Sequence, residues 1–361
     1  MAEARTLLTV IITTSVTPTA PSTELILTAL ESFRSFCPDL LTCNVIVVFD
    51  GYDEIQSTPR LKKGRVTPEQ AKSYGVYKTN VKNLILKQYG KHEQNEAHAA
   101  LAHSEGEAEF GGLRTGPNGV QFTTSVTLDK TVSFIEPSKR IGFGLAVRTA
   151  LRMTDTPYVW VHQHDWVLST DIPLGALLDV MQASSSEPER PVKYVCLPSP
   201  RNLSYATCGE VVEFPTLKTL TASLKAEFSP KLYPDIKIAL TPLFHWFDKP
   251  HIASKAHYLE RVFPSRLAML RGDFIEDKIG HICRTQMKDG QWSKWATWLY
   301  YPGEGQTHCV THLHGRVWVG KEAENKKIAE LRSKGLAQTP KQDPKPEPVY
   351  DTAIFQHGFE E

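Results

Sequence analysis

The run TPYVWVHQHDWVL, residues 156–168, limits the fold more than any other stretch of the chain. Pro157 stops whatever precedes it. Tyr158 to Val161 is continuously apolar, as a strand buried on both faces must be. Apolarity ends abruptly at His162-Gln163-His164-Asp165-Trp166. In an open α/β sheet, ligands bind outside the carboxyl ends of the strands. This strand end is therefore the expected place for a metal ion or a phosphorylated donor.

The chain opens in a way that supplies such a sheet. Leu7 to Ile12 is β-branched or apolar throughout and ends in Thr13-Thr14-Ser15. After a Pro-containing loop, Ser22 can cap a helix with Glu24 in its first turn and Ile26, Leu30 and Phe33 on one face. A second buried strand, Asn44 to Phe49, ends at Asp50-Gly51-Tyr52-Asp53. Strand, helix, strand in this order is a βαβ unit, which implies parallel pairing. If the two strands are neighbours, Thr13, Thr14 and Asp50 lie side by side and form one rim of a nucleotide site.

Residues 54–130 read as an irregular insertion. A short helix is expected over 68–73 and another over 93–102, with a strand or helix over 81–88. Arg60, Lys62, Lys63 and Arg65 read as solvated surface. His92, His98 and His103 have no ligand spacing, and residues 91–121 show little strand pattern. Val132 to Ile135 is a third strand. A helix follows from Ser138, with Phe143, Val147, Ala150 and Leu151 facing the core and Arg140 and Arg148 off that stripe. Further on, 171–182 and 253–262 read as helices, and 192–197 and 235–240 as strands. Residues 321–334 read as a charged helix ended by Gly335, and a Pro-rich tail follows. The expected division is a catalytic domain over 1–320 and a helix with tail over 321–361.

Three places carry possible chemistry. At the strand end, His162 and His164 share one face, or His164 and Asp165 turn inward together if the strand kinks. A divalent ion that also touches a diphosphate takes oxygen ligands and tolerates an imidazole. Farther along, Glu276 and Asp277 follow Phe274 and Ile275, where apolar surroundings raise a carboxyl pKa towards that of a general base. They also suit the first turn of a helix. Finally, His312 and His314 would point to the same side of a strand and offer metal ligands. Trp166, Trp246 and Trp295 are candidates for stacking on an acceptor sugar, although such side chains are commonly core.

Taken together, these segments resemble a GT-A-type nucleotide-sugar glycosyltransferase. The matching parts are a first strand ending in small polar residues, a second ending in Asp50-Gly51, and a helix with Arg140 and Arg148 before the key strand. Gln163-His164-Asp165-Trp166 then stands where such enzymes carry a DxD-type motif. The first acid of that motif is Gln163 here, and Asp165 alone remains. The resemblance implies a single Rossmann-like α/β domain whose central sheet is mostly parallel and flanked by helices. It implies hexosyl or pentosyl transfer from a nucleotide-sugar donor to a hydroxyl of a glycan, protein or small-molecule acceptor, with inversion. Thr13, Thr14, Asp50, Arg140 and His164 would contact the nucleotide. Asp165, with His312 or His314, would hold Mn2+ or Mg2+. Glu276 or Asp277 would take the acceptor proton.

Two other classes stay open on residues alone. A metal-dependent hydrolase would use His162 and His164 with His312, His314 and a carboxylate. A non-catalytic sugar- or nucleotide-binding module would explain the missing acid. Composition narrows the partners. The net charge of the 361-residue chain is +1, so no global field favours nucleic acid. No segment approaches the apolar length of a membrane span. A cytoplasmic enzyme is expected, or a secretory-pathway one without its anchor; only in the latter would the sequon Asn202-Leu203-Ser204 matter. Cys37, Cys43, Cys196, Cys208, Cys283 and Cys309 are scattered without CxxC spacing and are expected to be free thiols.

Overall fold

The computed structural model describes residues 4–90, 101–112, 118–185 and 187–333. The expected helix over 93–102, His92, His98, Gly335 and the Pro-rich tail lie outside these residues, except that Leu101 and Ala102 belong to a strand.

Fifteen strands occur among the described residues: β1 Leu8–Thr14, β2 Asn44–Phe49, β3 Glu54–Ile55, β4 Arg65–Val66, β5 Leu101–Glu109, β6 Gly119–Thr127, β7 Val132–Pro137, β8 Tyr158–Gln163, β9 Trp166–Leu168, β10 Tyr194–Cys196, β11 Ala226–Phe228, β12 Ile238–Pro242, β13 His251–Ser254, β14 Thr297–Tyr300 and β15 Val310–His312. Eleven form one sheet in the order β11-β12-β14-β10-β13-β8-β1-β2-β7-β6-β5. Eight of them run in one direction; β6, β12 and β13 run against it. The sheet is thus mostly parallel in direction, and helices flank it.

The centre of the sheet follows directly from the sequence. Every residue of β1 is buried, and so are all but one of β2 and of β8. Strands with no polar face can exist only between two covering layers. The Phe143–Met153 helix packs on β1 and β2, and the Pro68–Tyr89 helix on β2 and β7. Phe33, from the Glu24–Phe36 helix, meets Trp160 edge-on at 6.4 Å between ring centres. Register pairs Thr13 with Gln163 and Thr14 with Phe49, so β1, β2 and β8 end level.

Residues 54–130 are more regular than expected. Pro68–Tyr89 is one helix of 22 residues, opened by a capping box between Thr67 and Gln70. Its buried stripe is Tyr74, Tyr77, Val81, Ile85 and Tyr89. Three of these five are tyrosines, which mask the helical period when only aliphatic residues are counted. β5 and β6 form a long antiparallel hairpin. β5 is an edge strand, exposed along most of its length, so it has no apolar face to betray it. Arg148, placed off the core stripe, is in fact only 2% exposed. Residues 143–151 are buried on every face of their helix, and the Arg148 guanidinium lies over the Phe263 ring at 6.0 Å.

Candidate functional site at the carboxyl ends of the central strands

Past Gln163 the chain kinks, and each side chain of His162 to Trp166 takes a different direction. His162 stays in the core at 1% exposure. Trp160 Nε1 donates to its Nδ1 at 3.2 Å, and its Nε2 donates to the Trp166 carbonyl at 2.9 Å. Both ring nitrogens are thus engaged, and burial holds the imidazole neutral, with its pKa down at about 4. His162 is no metal ligand, and the His162–His164 pair of the hydrolase alternative does not face one site. The physical reason is the strand end itself: His162 is the last wholly buried residue of β8.

His164 turns instead towards β1. Its backbone N–H donates to the Thr13 carbonyl at 3.0 Å, and its Nδ1 lies 2.6 Å from Thr14 Oγ1. That hydroxyl is also 2.7 Å from Tyr77 Oη. Thr13, Thr14 and His164 therefore meet at the strand ends, joined by Tyr77 from the tyrosine stripe of the Pro68–Tyr89 helix. Asp50 lies on the next strand. Its Oδ1 accepts from Ile141 N–H at 2.7 Å and Gly142 N–H at 3.1 Å. Burial raises the Asp50 pKa against the pull of these donors. The carboxylate ties the β2 end to the start of the Phe143–Met153 helix. Arg140 leans on the other side of this loop, its Nη2 3.4 Å from the Gly272 carbonyl. Beside Asp50 opens a cavity of about 480 Å³, walled in part by Gly51, Tyr52, Tyr74, Lys78 and Ser138.

Asp165 is held by the far end of the chain. β15 pairs antiparallel with β9 and sets His312 opposite Trp166, with the two rings stacked at 4.6 Å. His312 Nε2 donates to Asp165 Oδ2 at 3.0 Å, and Gly315 N–H donates to the same oxygen at 2.9 Å. Burial acts to raise the Asp165 pKa, but the His312 hydrogen bond, the His164 and His312 charges and the Gly315 N–H together hold it well below the usual carboxylate range. Oδ1 of Asp165 is buried without a hydrogen-bond partner. A Cβ on Gly315 would stand 3.0 Å from Asp165 Cβ, so glycine is what lets the turn come this close. His312 and His314 do not share a strand face. β15 ends at His312, and His314 adopts φ 56°, a left-handed turn that brings Gly315 back to Asp165. Their rings nonetheless lie 4.3 Å apart.

These are the residues expected to hold a metal. Asp165 and His312 meet as hydrogen-bond acceptor and donor. Among the described residues, no group of three or more His, Cys, Asp and Glu side chains is arranged to hold a metal ion.

Of the two carboxylates at 276–277, Glu276 joins the same edge, through a residue that the sequence did not single out. Gln163 Nε2 donates to the Asp248 carbonyl at 2.9 Å. Asp248 and Glu276 then clasp each other: Asp248 N–H donates to Glu276 Oε2 at 3.3 Å, and Glu276 N–H donates to Asp248 Oδ1 at 3.2 Å. Asp248 is 6% exposed, and its Oδ2 is buried without a partner. Burial, and next the neighbouring Glu276 charge, drive its pKa far up. Burial also raises that of Glu276, which the Lys249 charge only partly offsets. Asp277, the neighbour, is exposed. Residues 276–280 form a π-turn ahead of the His281–Lys288 helix; such turns often occur at functional sites. Asp248 was hidden because its acid lies alone among Trp246, Phe247, Lys249 and Pro250, without a second carboxylate nearby in sequence.

Two of the three tryptophans assigned to an acceptor are core instead. Trp246 is wholly buried, against Tyr194 at 4.3 Å and Tyr258 at 4.8 Å. Trp295 is 4% exposed, and its Nε1 donates to Gln286 at 2.9 Å. Neither ring offers a face to a ligand. Trp166, at 8% exposure, is itself covered by His312.

No family model matches the chain, and no curated protein matches it. Solved structures with a similar course of chain include the mannosyltransferase PcManGT from Pyrobaculum calidifontis in complex with GDP-Man and Mn2+. It is 13% identical, with a TM-score of 0.35 over 82% of this chain and 58% of that one. Another is S. aureus TarS 1-349 in complex with UDP-GlcNAc, 9% identical, with a TM-score of 0.36 over 93% of this chain and 68% of that one. The chain thus spans little more than half of the mannosyltransferase. Likeness at this level assigns no residue a role.

Proposed function

We propose that the protein is a glycosyltransferase that uses a nucleotide-sugar donor and acts with inversion. The observation that carries this is the link from Gln163 through Asp248 to Glu276. It sets a half-buried carboxylate of raised pKa at the same sheet edge as the Thr14–His164 and Asp165–His312 pairs. A transferase needs these two things at one place: a rim that holds the donor and a base aimed at the acceptor hydroxyl. In this proposal the donor lies across the ends of β1, β2 and β8, with its nucleoside towards the cavity beside Asp50. Glu276 removes the acceptor proton as the hydroxyl attacks the anomeric carbon, and the nucleoside diphosphate leaves. Asp248 keeps Glu276 in place. Mn2+ or Mg2+ is an expectation from the resemblance, and no step is assigned to it, because Asp165 and His312 are paired with each other.

The test is a screen of nucleotide sugars by thermal shift, with and without manganese, followed by turnover with the donor that binds. Glu276→Gln is expected to lower turnover by roughly 100-fold to 10,000-fold, the usual worth of a general base, while the donor still shifts the melting temperature. Full turnover by Glu276→Gln removes Glu276 from the role; absence of binding by every nucleotide sugar removes the transferase.

A further inference from the structure

Arg60, Lys62 and Lys63 look like solvated surface in the sequence, but the fold folds them into a wall. They line a cavity of about 560 Å³ together with Pro18, from the loop after β1, and Arg316, which is more than 250 positions away. No carboxylate lines this cavity. Two cations nearby are answered by acids: Arg65 pairs with Glu54 at 3.0 Å, and Arg271 with Asp53 at 2.6 Å. Among the described residues, Arg60, Lys62, Lys63 and Arg316 have no such partner.

Their positions are built rather than incidental. Arg60 and Arg65 exchange backbone hydrogen bonds at 2.9 and 3.2 Å, closing a tight loop over Leu61–Lys63. Gly64 makes the turn at φ 69°, where a Cβ would run into Arg140 and Asp53. On the opposite wall, Arg316 lies over the Phe274 ring at 5.6 Å. It directly follows Gly315, whose N–H holds Asp165. Four like charges gathered round one concavity repel each other, and the repulsion is relieved only by salt or by an anion. Arginine forks and lysine ammonium groups converging from two walls suit the several oxygens of a phosphate or diphosphate group.

We propose that this cavity is an oxyanion-binding site that takes a phosphate- or diphosphate-bearing ligand, beside the Asp165 site. Binding can be read without turnover, so the outcome does not depend on the transferase assignment. The experiment is isothermal titration of the whole chain with inorganic pyrophosphate at low and at high salt, with EDTA present. An uncharged nucleoside and inorganic sulfate are titrated in parallel, to separate affinity for the phosphate group from affinity for a base or for any dianion.

Pyrophosphate is expected to bind, to weaken as salt rises, and to bind more tightly than sulfate. The double variant Lys62→Gln/Lys63→Gln and the single variant Arg316→Gln are each expected to weaken it by about tenfold or more, the worth of one charge-assisted hydrogen bond. All three residues are exposed, so an unchanged melting temperature confirms that the fold survives. The control Lys218→Gln/Lys294→Gln removes equal charge elsewhere on the exposed surface and is expected to leave binding unchanged. Pyrophosphate affinity equal in the cavity variants and the parent overturns the site. So does equal weakening by the control, which would mean a general field, or affinity no greater than that for sulfate, which would mean an adventitious ion only.

Discussion

At the residue scale, the clearest lesson is how differently three neighbouring polar side chains are used. His162 is neutral and fully hydrogen-bonded in the core. His164 joins Thr14 across two strands. Asp165 is fixed by donors from the last strand. A sequence cannot separate these, because the kink after Gln163 depends on what the neighbouring strands offer. The raised pKa of Glu276, the proposed base, means that this carboxyl is protonated at pH values where an ordinary glutamate is ionised. Turnover at limiting substrate is therefore expected to rise with pH along an acidic limb displaced above the usual glutamate range. The same shift has a stability counterpart. For a carboxyl whose folded pKa lies above its unfolded one, the folded state binds more protons between the two values. That contribution is present in full below the unfolded pKa and is lost as pH rises through the folded one. Glu276→Gln is expected to remove the limb; an unchanged pH profile in an active Glu276→Gln variant would assign the limb to another group.

At the scale of elements, two junctions organise the site. β15 docks on β9 and brings His312 and Gly315 to Asp165. β13 pairs antiparallel with β8 and sets the loop before it, residues 244–250, over the end of that strand. Gln163 is the latch between this loop and the strand end. Where the resemblance leads one to expect an acid, the amide donates to a backbone carbonyl, which a carboxylate could not do. Gln163→Leu is thus expected to cost about 1 kcal/mol in chemical denaturation, the net worth of a hydrogen bond. Because the loop carries Asp248, and Asp248 holds Glu276, turnover should fall by more than donor affinity does. A fall confined to donor affinity would show that the latch does not position Glu276.

At the scale of the whole molecule, one sheet of eleven strands and the small β9–β15 sheet beside its strand ends together gather residues from Thr13 to Gly315. The Lys321–Ser333 helix stands apart from this arrangement. Its start is tied by Lys321 N–H to Glu24 at 3.0 Å, and most of its described side chains are exposed. A chain ending at residue 320 is accordingly expected to fold, and to unfold in a single transition within about 0.5 kcal/mol of the full chain, the usual range of surface changes. Calorimetry of the two chains checks this. A large loss of stability would make the helix part of the core domain.

The central strands were legible from sequence alone, because a run such as Val45 to Phe49 is apolar on both faces and only a doubly covered strand can satisfy it. The βαβ start and the strand-end location of the polar cluster followed from the same logic, whereas the association of Asp165 with the region of His312 came from the family resemblance, as shared metal ligands, and the tertiary structure joins the two by a hydrogen bond. Elements without an apolar signature did not: the edge strand β5 is polar because solvent covers it, and the Pro68–Tyr89 helix hides its period in tyrosines. The tertiary structure alone decided which polar groups meet. Asp248 and Glu276, 28 positions apart, Gln163 and the Asp248 carbonyl, and Arg316 with the 60–63 loop are juxtaposed by strand order and register. These are long-range properties that no local pattern of residues encodes.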